Sequence, residues 1–197
     1  MSAEVLKTSP RAIPGRWREG YVLDVHTTSS TYVGDDAFGH PMFETLRSPA
    51  GEMLYRLKYS NDAAAVEPLC AALVRFIRKW KPGIDLLVPV PPSRKRPKQP
   101  VLILANAVAT AMGLAVAPQA VNPMAGLPEI KDVHGYDSRM KLLKGAFKVT
   151  GVKGRRVLLL DDLYRSGATM NAVAGALYDG GAEDVVALAV TQTRSNR

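Results

Sequence analysis

One stretch constrains the fold more than any other, because the apolar run Val157–Leu160 passes directly into two adjacent carboxylates, Asp161 and Asp162. The mostly small residues of Arg165–Thr169 follow, and a helical pattern begins behind them. An apolar run of this length is typical of a parallel strand that is covered on both faces. The order of strand, acids, loop and helix therefore predicts an α/β fold with a ligand loop at the carboxyl end of a strand.

The chemistry of this loop favours a sugar phosphate. Gly167 allows a tight turn, and the small side chains of Ser166, Ala168 and Thr169 leave backbone N–H groups open. At the N-terminus of a helix those groups and the helix dipole favour a phosphate. The two carboxylates can accept hydrogen bonds from the vicinal hydroxyls of a sugar. The alternative is a plain turn in which Ser166 or Thr169 caps the helix and the acids are solvated.

The rest of the chain repeats the alternation of strands and helices. Apolar side chains at helical spacing predict helices near residues 63–80, 101–113 and 169–180, and apolar runs predict strands near 84–91, 114–121 and 184–194. Two strand–helix–strand units are visible. We therefore expect a central, mainly parallel sheet with helices on both faces, whose ligands bind beyond the carboxyl ends of the strands.

The chain divides into two predicted parts. Residues 1–59 are interpreted as an N-terminal arm and a small β-rich subdomain. Residues 21–33 alternate in polarity and are rich in β-branched side chains, which predicts a hairpin-like piece. Residues 60–197 form the predicted core. Within it, residues 122–144 have mixed polarity and no clear period, and a segment of that length inside a compact chain predicts a flexible lid.

Composition limits the classes of protein. Hydrophobic residues make up 47% and charged residues 22%, as in ordinary globular chains. Cys70 is the single cysteine, which excludes an internal disulfide and a cysteine-based zinc cluster and suits a reducing cytoplasm. Polar residues interrupt the N-terminus where a signal peptide would be apolar, and the apolar stretch 101–113 is shorter than a membrane span. We expect a cytoplasmic protein with no membrane contact.

The formal net charge of +8 predicts a surface that attracts anions. Phosphates and nucleic acids are both candidate ligands, and the alternative is that the positive charge serves only general solubility. Most aromatic residues lie outside the Arg- and Lys-rich loop, so stacking on nucleic-acid bases has little support.

The segment Val157–Thr169 resembles the 5-phosphoribosyl diphosphate signature of type I phosphoribosyltransferases, except that Arg165 stands where a small hydroxyl residue is usual. The resemblance implies the type I phosphoribosyltransferase fold, with a small N-terminal hood, and Mg²⁺ held mainly by ligand oxygens. It implies phosphoribosyl diphosphate and a small-molecule acceptor as partners, and a homo-oligomer, a dimer, is expected. The phosphoribosyl group would be bound by Asp161, Asp162, Arg165, Ser166, Gly167, Ala168 and Thr169, of which Asp161 and Asp162 are the catalytic residues.

Further segments are similar to the ComF branch of that family: residues 54–62, residues 86–96, and Arg139 followed by Gly145–Phe147. The chain is a divergent relative, since it has no four-cysteine zinc module. The resemblance implies a diphosphate-binding loop after the strand, at Pro91, Pro92, Ser93, Arg94 and Arg96, with a solvated basic loop as the alternative. It implies a lid that includes Lys131, His134 and Arg139. Lys58 matches a lysine of the branch, although an ordinary surface lysine is the preferred interpretation.

Three functions remain open on the sequence. The first is transfer of the phosphoribosyl group to an unidentified acceptor with release of pyrophosphate. The second is a regulatory module that binds the same ligand or a nucleotide without turnover, because fold alone does not settle function. The third is a ComF-like accessory role in DNA uptake, with nucleic acid as a weakly supported partner.

Overall fold

The computed structural model describes residues 5–92, 98–124 and 135–193. Its strands are β1 (Arg11–Ala12), β2 (Gly20–Val25), β3 (Thr27–Asp35), β4 (Pro41–Arg47), β5 (Leu86–Pro89), β6 (Ala115–Val116), β7 (Val121–Pro123), β8 (Phe147–Val149), β9 (Arg156–Tyr164) and β10 (Asp184–Gln192). Its helices are α1 (Pro49–Tyr59), α2 (Val66–Trp80), α3 (Pro100–Met112), α4 (Tyr136–Leu143) and α5 (Ala168–Asp179), with a short 3₁₀ turn at Ala63–Ala65.

A six-stranded sheet in the order β1-β2-β10-β9-β5-β6 forms the centre of the fold. The strands from β2 to β6 in this order pair in parallel, and only the two-residue edge strand β1 is antiparallel. The units β5-α3-β6 and β9-α5-β10 connect parallel strands through helices. The predicted fold class, a mainly parallel sheet with helices on both faces, is confirmed.

The apolar run of β9 is explained by burial on both sides of this sheet. Leu158 and Leu160 face a cluster built from α1, α2 and α3, whereas Val157 and Leu159 face a cluster that includes Trp17 and side chains of α5. All four residues of the run are almost completely buried. Because neither face of β9 meets water, the strand needs no polar alternation.

The predicted element at residues 114–121 divides into two short strands in different sheets. β6 pairs with β5 at the edge of the central sheet, and β7 pairs with β8 in a separate two-stranded sheet. A turn separates them, closed by the hydrogen bond from the Ala120 N–H to the Ala117 carbonyl. Pro118 lies in this turn and has no N–H to donate to a ladder.

The predicted small subdomain at residues 1–59 is only partly separate from the core. β2 lies inside the central sheet, and α1 buries Leu54 and Leu57 against the same cluster as α2. β3 and β4 form a two-stranded hairpin of their own. In the predicted lid, β7 and α4 flank residues 125–134, which lie outside the described residues.

Among the described helices, none is long and apolar enough to span a membrane.

Candidate functional site

An open cleft of about 400 Å³ lies at the carboxyl ends of β5 and β9. It collects residues from α1, from the segment between β5 and α3, from α4 and from the loop after β9. The lining residues are Lys58, Tyr59, Val90, Pro91, Pro92, Gln99, Pro100, Val101, Arg139 and the continuous run Asp161–Met170. All seven residues predicted to bind the phosphoribosyl group thus line one cleft.

The loop after β9 differs from its predicted form in one respect. Asp161 and Asp162 are not the last residues of the strand, since β9 continues to Tyr164 and pairs there with Gln192 of β10. The strand is prolonged because the ladder with β10 remains regular beyond the acids. The turn is therefore compressed into Arg165–Gly167, immediately before α5.

Gly167 makes this tight turn, with a φ of +77° that favours glycine. It also occupies the N-cap position of α5, so no side chain caps the helix. The Ser166 hydroxyl lies 3.5 Å from the Ala168 nitrogen, at the long limit for a hydrogen bond. The simpler interpretation, in which Ser166 or Thr169 is the N-cap, is therefore wrong, and the first turn of α5 presents N–H groups to the cleft.

A buried asparagine holds this turn in place. The Asn171 side chain donates to the Gly167 carbonyl at 2.9 Å and accepts from the Arg16 backbone N–H at 2.7 Å. Asn171 is 4% exposed, and its bond to Gly167 is buried, whereas its bond with Arg16 is partly buried. Asn171 was not predicted as a site residue, although a polar side chain among the apolar positions of α5 was an available signal.

Lys58 joins the acid pair from α1. Its Nζ lies 2.9 Å from Asp162 Oδ2, and the two side chains are only 15% and 13% exposed. The preferred interpretation of Lys58 as an ordinary surface lysine is therefore wrong. The packing of α1 beside β10 and β2 brings this ammonium group over the end of β9, and it neutralises one of the two adjacent carboxylates.

Asp161, the other member of the acid pair, has a raised pKa and is not the carboxylate that Lys58 contacts. Burial, and next the negative charge of Asp162, raise the pKa of Asp161 to about 7. Its Oδ1 accepts the Asp162 backbone N–H at 2.8 Å, and this bond and the Lys58 charge moderate the rise. A carboxyl group with a strongly raised pKa in a cleft is a frequent property of functional sites.

A second helix also begins at the cleft. α3 starts at Pro100, which lines the cleft together with Pro91 and Pro92, and its N-cap residue Gln99 makes no side-chain capping bond. The positive ends of the α3 and α5 dipoles therefore both meet the cleft, which favours a ligand that carries two anionic groups.

The predicted diphosphate and lid residues are only partly described. Pro91 and Pro92 line the cleft, and from α4 the Arg139 guanidinium donates to the Ser166 hydroxyl at 3.2 Å. Arg165 is exposed at the cleft rim. Ser93, Arg94, Arg96, Lys131 and His134 lie outside the described residues.

Gly167→Ala tests the geometry of the turn. A Cβ at this position would lie 2.4 Å from the Tyr164 hydroxyl, in addition to the strain of a positive φ. We expect a loss of stability of about 2 kcal/mol, measured by chemical denaturation. Gly113→Ala is the matched control, because Gly113 has a φ of +66° with nothing within 4 Å of the added Cβ. Equal losses in the two variants would contradict the described contact with Tyr164.

Comparisons with known proteins give structural similarity only. No family model matches the chain, and no curated protein does. Adenine phosphoribosyltransferase from Saccharomyces cerevisiae is 14% identical over 84% of this chain and 83% of its own, with a TM-score of 0.49. The enzyme of the same name from Thermoanaerobacter pseudethanolicus is 19% identical over 81% of each chain, with a TM-score of 0.44.

A third similar structure, UMP synthase from Leishmania donovani, is 15% identical with a TM-score of 0.44; the match covers 84% of this chain and 29% of that protein.

Proposed function

We propose that this protein binds 5-phosphoribosyl 1-diphosphate and transfers its phosphoribosyl group to a small-molecule acceptor, with release of pyrophosphate. The observation that carries the proposal is the arrangement within Asp161–Thr169. It sets an acidic pair at one end of a short loop and an uncapped helix N-terminus at the other end, and both line one cleft. A ribose 5-phosphate has the matching pair of ends, hydroxyls and a phosphate. A cytoplasmic location is part of the proposal, in keeping with the single free thiol of Cys70.

Each part of the cleft has a role in this proposal. The Asp161 and Asp162 carboxylates accept hydrogen bonds from the ribose hydroxyls, and the backbone of the turn before α5 holds the 5-phosphate. The start of α3 and the segment Pro91–Pro92, which line the same cleft, would hold the leaving diphosphate. The acceptor attacks C1, the bond from C1 to the diphosphate oxygen breaks, and the acceptor loses a proton. The protein acts by positioning and by electrostatic stabilisation.

Magnesium fits this site as an ion brought with the ligand. The described acids of the cleft are Asp161 and Asp162, hard oxygen donors of the kind that Mg²⁺ accepts, but Asp162 is paired with Lys58. Within the described ranges no three His, Cys, Asp or Glu side chains form a group that could hold a metal ion. When bound, Mg²⁺ would supply neutralisation of the leaving diphosphate.

Calorimetric titration with phosphoribosyl diphosphate and Mg²⁺ tests binding, and pyrophosphate release with a panel of nucleobases and amines tests transfer. We expect saturable binding and release with at least one acceptor. Binding without release from any acceptor would favour the regulatory alternative. A folded sample that binds single-stranded DNA but no phosphoribosyl diphosphate would overturn the proposal in favour of the DNA-handling alternative.

Lys58→Met is expected to weaken phosphoribosyl diphosphate binding about tenfold or more, because it leaves the Asp162 charge without a counterion beside an anionic ligand. The affinity is measured by calorimetry. Lys79→Met is the matched control, since it removes the same charge from an exposed position on α2. Equal losses in both variants would show that only the overall charge of the protein matters, and would remove Lys58 from the site.

A further inference from the structure

The loop between β1 and β2, residues 13–19, has no role in the proposed function. It is folded around Trp17, whose side chain is 8% exposed and packs in the same cluster as side chains of α5. The Trp17 Nε1–H donates to the Ile13 carbonyl at 3.0 Å. A Cβ added to Gly15 would lie 2.2 Å from the indole ring, so the backbone of the loop lies directly on that ring. The indole therefore anchors the β1–β2 loop against α5.

One contact connects the β1–β2 loop to the turn before α5 through Asn171. The Arg16 backbone N–H donates to Asn171 Oδ1 at 2.7 Å, and Asn171 Nδ2 donates to the Gly167 carbonyl at 2.9 Å. Because Asn171 is buried, loss of either bond would leave a polar group of its side chain unpaired in the interior, which costs free energy. The position of the Gly167 carbonyl therefore depends on the docking of the loop.

A second contact reaches the other end of the same turn. The Tyr164 hydroxyl donates to the Pro14 carbonyl in a long hydrogen bond of 3.4 Å. The same hydroxyl would lie 2.4 Å from a Cβ added to Gly167, so the Tyr164 side chain also packs on the turn. The β1–β2 loop thus contacts the turn at Tyr164 and, through the asparagine, at Gly167. The residues between these two points, Arg165 and Ser166, line the cleft.

The peptide unit between Gly167 and Ala168 connects the loop to a ligand that the loop does not touch. A trans peptide is planar, so its C=O and N–H groups point in opposite directions. The Asn171 side chain holds the carbonyl of this unit and thereby fixes the direction of the Ala168 N–H. The Ala168 nitrogen lies 3.5 Å from the Ser166 hydroxyl, and both residues line the cleft. This N–H is one of the first of α5, which are the groups available to an anion.

We propose that the β1–β2 loop positions the phosphate-binding turn, with Trp17 and Asn171 as positioning residues. Trp17 anchors the loop, the Arg16 N–H orients Asn171, and Asn171 sets the peptide unit that presents the Ala168 N–H. The inference rests on the proposed function, since it needs a phosphate at the turn. If docking of the loop favours phosphate binding, phosphate binding must favour docking of the loop by the same factor.

Calorimetric titration of the full chain with inorganic phosphate and with ribose 5-phosphate tests the first half of this coupling. Asn171→Leu removes both side-chain bonds with little change of volume, and Trp17→Leu loosens the loop at a position that does not line the cleft. We expect each variant to bind both ligands about tenfold more weakly than the wild type. Val152→Ala is the control, because Val152 is buried in the same cluster but lies outside the loop and α5. It should lower the thermal midpoint and leave both affinities unchanged.

Hydrogen exchange measured by mass spectrometry tests the reciprocal half. Saturating ribose 5-phosphate should slow exchange in residues 13–19 of the wild type more than in α2, and this difference should be absent in Asn171→Leu. The proposal requires both results. Exchange in the loop that does not respond to bound ligand, or affinities of the two variants equal to that of Val152→Ala, would overturn it and leave the proposed function standing. A wild type that binds neither ligand would contradict the proposed function, and this inference with it.

Discussion

The double variant Asp161→Asn, Asp162→Asn is expected to lose affinity for ribose 5-phosphate and for phosphoribosyl diphosphate by about a hundredfold or more. Hydrogen bonds from hydroxyls to carboxylates contribute about 1.5–3 kcal/mol each, and the neutral amides keep only part of that. Two weakened bonds correspond to roughly 3 kcal/mol, which is a factor of about a hundred. Calorimetric titration of both ligands measures the loss.

Inorganic phosphate is the internal comparison in this experiment. A free phosphate would occupy the turn before α5, where Gly167 and the first helical N–H groups lie, and it has no hydroxyl for the acids to hold. The double variant should therefore bind inorganic phosphate at least as well as the wild type does.

Asp179→Asn combined with Glu183→Gln is the matched control, because it changes the net charge equally at two exposed positions, the last residue of α5 and the residue before β10. Unchanged affinity for ribose 5-phosphate in the acid-pair variant would contradict the assignment of the loop.

The sequence was sufficient for the parts of the site that are contiguous in the chain. Strand β9, the turn at Gly167 and helix α5 follow from local properties: an apolar run, small residues and helical spacing. Burial on both faces confirms the predicted strand. The exact end of β9 was not predictable, because it depends on pairing with β10, whose residues are about thirty positions away.

Lys58 shows why the rest of the site could not be predicted. Its position in the cleft depends on α1 packing beside the central sheet, and nothing within residues 54–62 specifies that contact. The helix itself had readable signals, since Ser48 and Pro49 form a cap and first turn and Leu54 and Leu57 share a face. A lysine at the end of an amphipathic helix is exposed in most proteins. Only the three-dimensional arrangement therefore shows that Lys58 belongs to the site.

The N-terminal hairpin was misassigned for a similar reason. Residues 21–33 alternate along their whole length, which suggested one hairpin, but β2 and β3 belong to different sheets. The change occurs at His26, whose backbone N–H donates to the Gln192 carbonyl of β10 at 2.7 Å. The alternation indicates strand conformation in both segments, but it does not identify the strand with which each segment pairs.

The stability of the protein is expected to decrease as the pH rises from about 4 to about 7, owing to Asp161. Its pKa is 3.8 as a free side chain and about 7 in the folded protein. Below pH 4 the carboxyl is protonated in both states and contributes no difference. Between the two values the folded state retains a proton that the unfolded state has released. Above pH 7 both are ionised, and the folded state carries the full cost of the buried charge, on the order of 4 kcal/mol.

Asp161→Asn should remove this dependence, since the amide does not ionise. We expect the variant to be more stable than the wild type above pH 7 and nearly equal to it below pH 4, as measured by urea denaturation at each pH.

Asp85→Asn is a control whose stability should change with pH in the opposite direction. Burial raises the pKa of Asp85, but hydrogen bonds from Arg155 and Arg156 outweigh burial and lower the pKa. The Asp85 contribution is present at neutral pH and is lost as the pH falls through its folded pKa, so that variant should be destabilised at neutral pH. An Asp161→Asn protein that is less stable than the wild type above pH 7 would show that the carboxylate is stabilised by Lys58 and the backbone more than burial destabilises it.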